Sequence, residues 1–182
     1  TDLGQALHEL RRNVEAREAL ERAHPILSQL AVEYPLVPRY YEAQAACRDI
    51  LSQVLLDLDQ SGEAKARAES AVETYQRLAN ANPDVPQYRE RLAVCISHLG
   101  QARHRLQETD ARTSFDEAIR MLSALIEAHP EDPAYRSEKA HVLQHIGSLH
   151  FESEDPAQAE KAFAEAVGIW EALGEQDTPE YV

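Results

Sequence analysis

Three stretches decide how this chain folds: Pro35-Leu36-Val37-Pro38-Arg39-Tyr40, Pro83-Asp84-Val85-Pro86-Gln87-Tyr88 and Pro130-Glu131-Asp132-Pro133-Ala134-Tyr135. Each reads Pro-x-x-Pro-x-Tyr, and Pro179-Glu180-Tyr181 begins the same pattern again at the end of the chain. The intervals between the Pro-x-Tyr triplets are 48, 47 and 46 residues. Proline fixes φ and lacks an N–H, so it suits the first turn of a helix, where that donor has no partner anyway. The Tyr two residues on is then placed to pack against the preceding unit.

A second set of markers follows the same period. Eleven residues after each complete Tyr stands a large aliphatic beside a tiny residue: Leu51-Ser52, Leu99-Gly100 and Ile146-Gly147, with Leu3-Gly4 as the same pair in an earlier, shortened copy. Eleven or twelve residues further come Ala16, Ala64, Ala111 and Ala159, and seven beyond those Ala23, Ala71, Ala118 and Ala166. Small residues at matched places on two helices let the axes approach, while the aliphatic fills the groove beside them. Polar turns lie between: Gln60-Ser61-Gly62-Glu63, Glu108-Thr109-Asp110 and Ser153-Glu154-Asp155-Pro156. The spacing predicts helices of one kind, A, over 38–59, 86–107 and 133–152, and of a second kind, B, over 14–34, 63–81, 111–129 and 156–174. Residues 1–11 read as the second half of another helix A.

Composition agrees with an all-α reading. Only 6% of the 182 residues are aromatic, and the chain is rich in helix formers. The formal charge of −14 disfavours nucleic acid and an anionic membrane surface as partners. No apolar run reaches the length of a membrane span.

At these residues the chain resembles the tetratricopeptide repeat family, whose helix pair carries the large–tiny pair and the two alanines at these offsets on a 34-residue period. One heptad added to each helix accounts for the longer period here. The resemblance covers essentially the whole chain, and implies an α-α superhelix, a solenoid of antiparallel helix pairs with about eight helices. It divides residues 1–182, as a single array, into a partial repeat (1–35), three repeats (36–83, 84–130 and 131–178) and the start of another (179–182). The punctuated long form looks like arrays in large bacterial signalling proteins that also carry a Ser/Thr kinase domain, and a cytoplasmic setting goes with that likeness. Because the chain opens inside a helix A and closes on an opening triplet, we expect a segment of a longer array, or an open end that docks on another copy as a homodimer.

The family binds peptides or partner domains along the concave face lined by the A helices. Carried over onto this sequence, that face comprises Gln5, His8 and Glu9; Asp49, Ile50, Gln53, Leu56 and Asp57; Val94, Ser97, His98, Gln101, His104 and Arg105; and His141, Gln144, His145, Ser148 and Glu152. Gln53, Asp57, Ser97, His98, Gln101, His104, Arg105, His141, Gln144 and His145 are the expected partner-binding set, since amides and imidazoles can pair with a peptide backbone. The bland reading of the same residues is a solvated helix face. The Lys-based clamp that some of these arrays use for chaperone C-termini is not matched, because Asp49, Ser97 and Gln144 stand in the Lys place. The arginines of the third helix A, Arg89, Arg91, Arg103 and Arg105, either attract an acidic group or balance carboxylates on neighbouring helices, and the second is favoured.

Other chemistry is thinly represented. Cys47, Cys95 and Val142 share one repeat position, which reads as a small buried apolar site, and the two cysteines are too far apart to bridge. His141 and His145 are four apart on one helical face, but without further ligands they do not make a metal site. No phosphate loop, nucleophile elbow or metalloprotease motif is present, so no catalytic residue, metal or cofactor is expected. Trp170 and Tyr75 fall on B helices as packing residues. The leading functional reading is a protein-interaction scaffold. The alternative is a spacer or self-association module within a larger signalling protein.

Overall fold

The computed structural model describes residues 1–176 and contains eight helices there: α1 (Asp2–Glu9), α2 (Asn13–Glu33), α3 (Pro38–Asp57), α4 (Ser61–Ala81), α5 (Pro86–Arg105), α6 (Ala111–Ala128), α7 (Pro133–Glu152) and α8 (Pro156–Gln176). No strand occurs among the described residues. Odd-numbered helices are the A type and even-numbered the B type. The Pro179-Glu180-Tyr181 triplet, and with it the expected docking end around Tyr181, lies outside the described residues.

Both prolines of the repeated motif have a structural task. In the turns from B to A, the N–H groups of Val37, Val85 and Asp132 donate to the carbonyls of Tyr34, Asn82 and His129 at 3.1, 3.1 and 3.2 Å. Pro35, Pro83 and Pro130 therefore hold the second position of a four-residue turn, which their fixed φ favours. Pro38, Pro86 and Pro133 open the following helix. Two of the motif tyrosines fold back onto the end of the helix just left: the Tyr40 and Tyr34 ring centroids are 5.6 Å apart, and those of Tyr135 and His129 are 6.1 Å apart.

The turns from A to B all close in one way. Arg11, Asp59, Gln107 and Glu154 take positive φ, each near 58°. The N–H of that residue donates to a carbonyl three back, and the next N–H to one five back (Gln60 to Leu55, 2.8 Å; Glu108 to Arg103, 2.9 Å). This is the left-handed helix cap that satisfies the orphan carbonyls at a C-terminus. The turn was expected over Gln60-Ser61-Gly62-Glu63, but Ser61 already opens α4, and among the described residues no glycine has positive φ. The strained positions carry long polar side chains instead.

Two compact units make up the chain, Thr1–Ala111 and Arg112 onward. In the first, each helix packs on its sequence neighbour, and α3 also touches both α1 and α5. Its core joins Ala16 and Leu20 of α2, Cys47, Leu51, Val54, Leu55 and Leu56 of α3, Ala64 of α4 and Ala102 of α5. In the second, α7 packs on α8. Ala140, Leu143 and Ala166 are buried there, with Ile119, Ile169 and Trp170 against them.

The repeat markers are interior residues. Leu51, Leu99 and Ile146 are buried, as are Gly4, Ser52, Gly100 and Gly147. A methyl group added at Gly4 would lie 2.5 Å from the Leu20 side chain, and one at Gly147 would lie 2.6 Å from the Phe163 ring. At the equivalent place in the second repeat, Ser52 has room and donates from Oγ to the Ala64 carbonyl at 2.9 Å. There the B-helix residue corresponding to Leu20 and Phe163 is Ala68. The first copy departs in two respects: Leu3 is exposed and Ala23 is only half-buried.

Candidate functional site

Within the first unit the A helices line up as α1, α3 and α5, and polar side chains tie each to the next. His8 Nε2 is 3.1 Å from Asp57 Oδ2, linking α1 to α3, and Asn13 Nδ2 donates to the same oxygen at 3.3 Å. Between α3 and α5, His98 Nδ1 meets Asp49 Oδ1 at 2.7 Å, with the Gln53 side-chain amide packed beside the ring without a hydrogen bond to that nitrogen. With its Nδ1 facing a carboxylate, His98 carries its proton there and donates. Arg105 reaches Asp59 at 3.6 Å, both side chains being well exposed. The arrangement is a strip of hydrogen-bonded groups running across neighbouring A helices.

The expected partner-binding residues divide accordingly. Gln53, Asp57, His98, Gln101, His104 and Arg105 are accessible to varying degrees in the first unit. Ser97 is 4% exposed, and Asp49, Leu56 and Val94 are also buried. Ile50 packs against the core. These are residues of the helix–helix seam, which spacing along a single helix cannot separate from the open face. In the second unit, His141 sits edge-on to Trp170 of α8 at 5.4 Å, and His145 stacks on Phe115 of α6 at 6.0 Å. The two imidazoles thus meet B-helix aromatics; His141 and Gln144 are exposed and His145 is half-buried. Among the described residues, no three His, Cys, Asp or Glu side chains are grouped so as to hold a metal ion.

Cys47, Cys95 and Val142 are buried as their shared register implies, and both cysteines are free thiols. Burial pushes both thiols up, and Asp49 beside Cys95 adds to the shift. Neither is a nucleophile at neutral pH. Two of the four α5 arginines meet carboxylates: Arg103 approaches Glu108 at 4.0 Å and Arg105 meets Asp59. Lys65 of α4 holds Glu108 at 2.7 Å.

One feature of the first unit was not anticipated from sequence. A half-buried polar layer crosses α2, α3 and α4. Gln44 donates to Ser28 Oγ at 2.8 Å, and Arg48 Nε donates to His24 Nε2 at 3.1 Å. Thr74 Oγ1 lies 3.5 Å from guanidinium nitrogens of both Arg48 and Arg77. These residues are scattered over three helices and share no local motif, so no spacing rule could have assembled them.

The tetratricopeptide repeat family matches residues 140–169, which hold the end of helix A, the turn and most of helix B in one repeat. No curated protein sequence matches the chain. Among solved structures, the chain is similar to BtubC (BKLC) from P. vanneervenii, with 20% identity and a TM-score of 0.67. The likeness covers 99% of this chain and 65% of BtubC, so the chain spans less than two thirds of that protein's length. At this identity the likeness is one of fold. The MamA RS-1 ArsTM double mutant is 15% identical over 98% of this chain and 99% of its own, but a TM-score of 0.27 carries no structural argument.

Proposed function

We propose that this tetratricopeptide-like helical repeat protein is a binding scaffold whose A-helix face recognises an extended peptide or a partner domain. Folds of this kind generally mediate protein–protein contact, and they typically serve as scaffolds without catalytic chemistry. No helix among the described residues is long and apolar enough to cross a membrane.

The observation that carries the reading is the bonded strip across α1, α3 and α5. Its members are held by neighbours on adjacent helices, not by random solvent contacts. A face whose side chains are already fixed loses less conformational entropy when a ligand docks. Gln53 and Gln101, one repeat apart in equivalent positions, each offer an amide with both donor and acceptor capacity to a peptide backbone. In the second unit, Gln144 of α7 is exposed and offers the same amide chemistry. The repeat period runs through Ala111 and Arg112 without a break in sequence, which supports treating 1–182 as one array.

Substituting His98 is a poor test, because it strips Asp49 of its hydrogen-bonded partner inside the seam. Gln53→Ala with Gln101→Ala is the informative pair. Each partner captured by the wild-type chain is expected to bind at least tenfold more weakly to the double variant, with an unchanged melting temperature. Full retention of every partner overturns the assignment of this face. Concentration-dependent light scattering that finds only self-association would favour a spacer module.

A further inference from the structure

The chain carries 32 acidic residues against 18 Lys and Arg, and several of its arginines pair with a carboxylate. Arg12, Arg17, Arg103, Arg105 and Arg112 all do. Arg48, Arg67 and Arg77 do not: among the described residues, none of the three has a carboxylate oxygen within 4.0 Å. Arg48 and Arg77 instead converge on one neutral oxygen, Thr74 Oγ1, which is buried and gives its own proton to the Ser70 carbonyl at 3.0 Å. Arg48 also donates to His24, which is therefore neutral, with its remaining proton on Nδ1.

The surroundings show that this is concentrated positive charge. Burial lowers the Arg48 guanidinium first, and Arg67 and Arg77 lower it further. Glu73 acts in the other direction, but more weakly than either arginine. Burial also lowers His24, followed by Arg48 and Arg67. Three helices contribute: α2 presents His24, α3 presents Arg48 with the protonated Cys47 thiol, and α4 presents Arg67, Glu73 and Arg77.

We propose that Arg48, Arg67, Arg77 and His24 form a site for a phosphate group. A dianionic tetrahedral oxyanion supplies the charge the cluster lacks, and its oxygens can accept from two forked guanidiniums at once. Thr74 and the His24 imidazole, held beneath and beside the arginines, fix their approach. The site is separate from the strip on the A helices, and it stands or falls without it. Phosphate reaches such a site either free or as an ester on a partner's side chain.

The test is calorimetric titration of the intact chain, at constant ionic strength, with inorganic phosphate, with a phosphoserine peptide, and with the same peptide bearing Glu in place of phosphoserine. Saturable single-site binding of a phosphate compound is expected, weakened at least tenfold in both Arg67→Gln and Arg77→Gln, and unaltered in Arg12→Gln, whose native partner is Glu15. Circular dichroism melts of the two cluster variants should match or exceed the wild type, since each substitution removes repulsion. The His24 ring followed by NMR should titrate at higher pH when phosphate is bound. A phosphopeptide at least tenfold tighter than inorganic phosphate identifies the esterified form, and equal affinities identify the free ion. The proposal is overturned by equal binding of the Glu peptide, by binding that Arg12→Gln weakens as much as the cluster variants do, or by no saturable binding at all.

Discussion

At the scale of single residues, the tightest constraint is the approach of each helix pair at its tiny residue. An alanine at position 147 would improve helix propensity by up to about 1 kcal/mol. Its methyl would also stand 2.6 Å from the Phe163 ring, and overpacking of that kind costs roughly 1–3 kcal/mol. Gly147→Ala is therefore expected to lose about 1–2 kcal/mol in denaturant unfolding. Part of the loss should return when Phe163→Leu is added, giving a coupling of ~1 kcal/mol in a double-mutant cycle. Additive effects would show that the ring moves aside freely. The same reasoning explains why Ser52 is tolerated where its neighbours have glycine: the facing B-helix position there is Ala68.

At the scale of elements, the helices are set by their turns. The B-to-A turns were legible because proline announces both its turn and its helix start. The A-to-B turns were legible as polar breaks, although the residues that bend the chain, Asp59 and its counterparts, fall just before or within those breaks. Four non-glycine residues, Arg11, Asp59, Gln107 and Glu154, bear the left-handed conformation, because the helix-end hydrogen bonds and the packing of the next helix demand it there. Left-handed backbone costs an L-residue roughly 1–2 kcal/mol, partly offset in a glycine variant by its greater freedom when unfolded. Gln107→Gly is thus expected to stabilise the chain by about 0.5–1 kcal/mol, seen as a melting temperature higher by roughly 2 °C. A destabilised variant would mean that the Gln107 side chain contributes more than the strain it bears.

At the scale of the whole molecule, the acidic chain carries a local cluster of positive charge, and that has a consequence for pH. The folded pKa of His24 is lowered from its ordinary value. The unfolded state therefore takes up the proton first as pH falls, and the folded state loses stability from the ordinary histidine pKa down to the lowered one. Above that window the contribution is fully present. His24→Gln keeps an acceptor for Arg48 and cannot titrate, so its stability should fall less than the wild type's as pH is lowered through the window. Parallel stability curves for the two proteins would place the pH sensitivity elsewhere.

The sequence by itself determined the helix order, the near-48-residue period and most of the buried repeat markers. A repeated proline, aliphatic or alanine reports a local requirement of φ, size or hydrophobicity that each copy must meet separately. It also placed the partner-binding candidates on the A helices, though spacing along one helix cannot tell an open face from a seam, as buried Ser97 and Asp49 show. Only the tertiary structure decided which side chains meet. His8 finds Asp57, His98 finds Asp49, and Arg48 finds His24 across separations of 49, 49 and 24 residues. Such pairings depend on how neighbouring helices are set against one another, and that is a property of packing, which no single segment encodes.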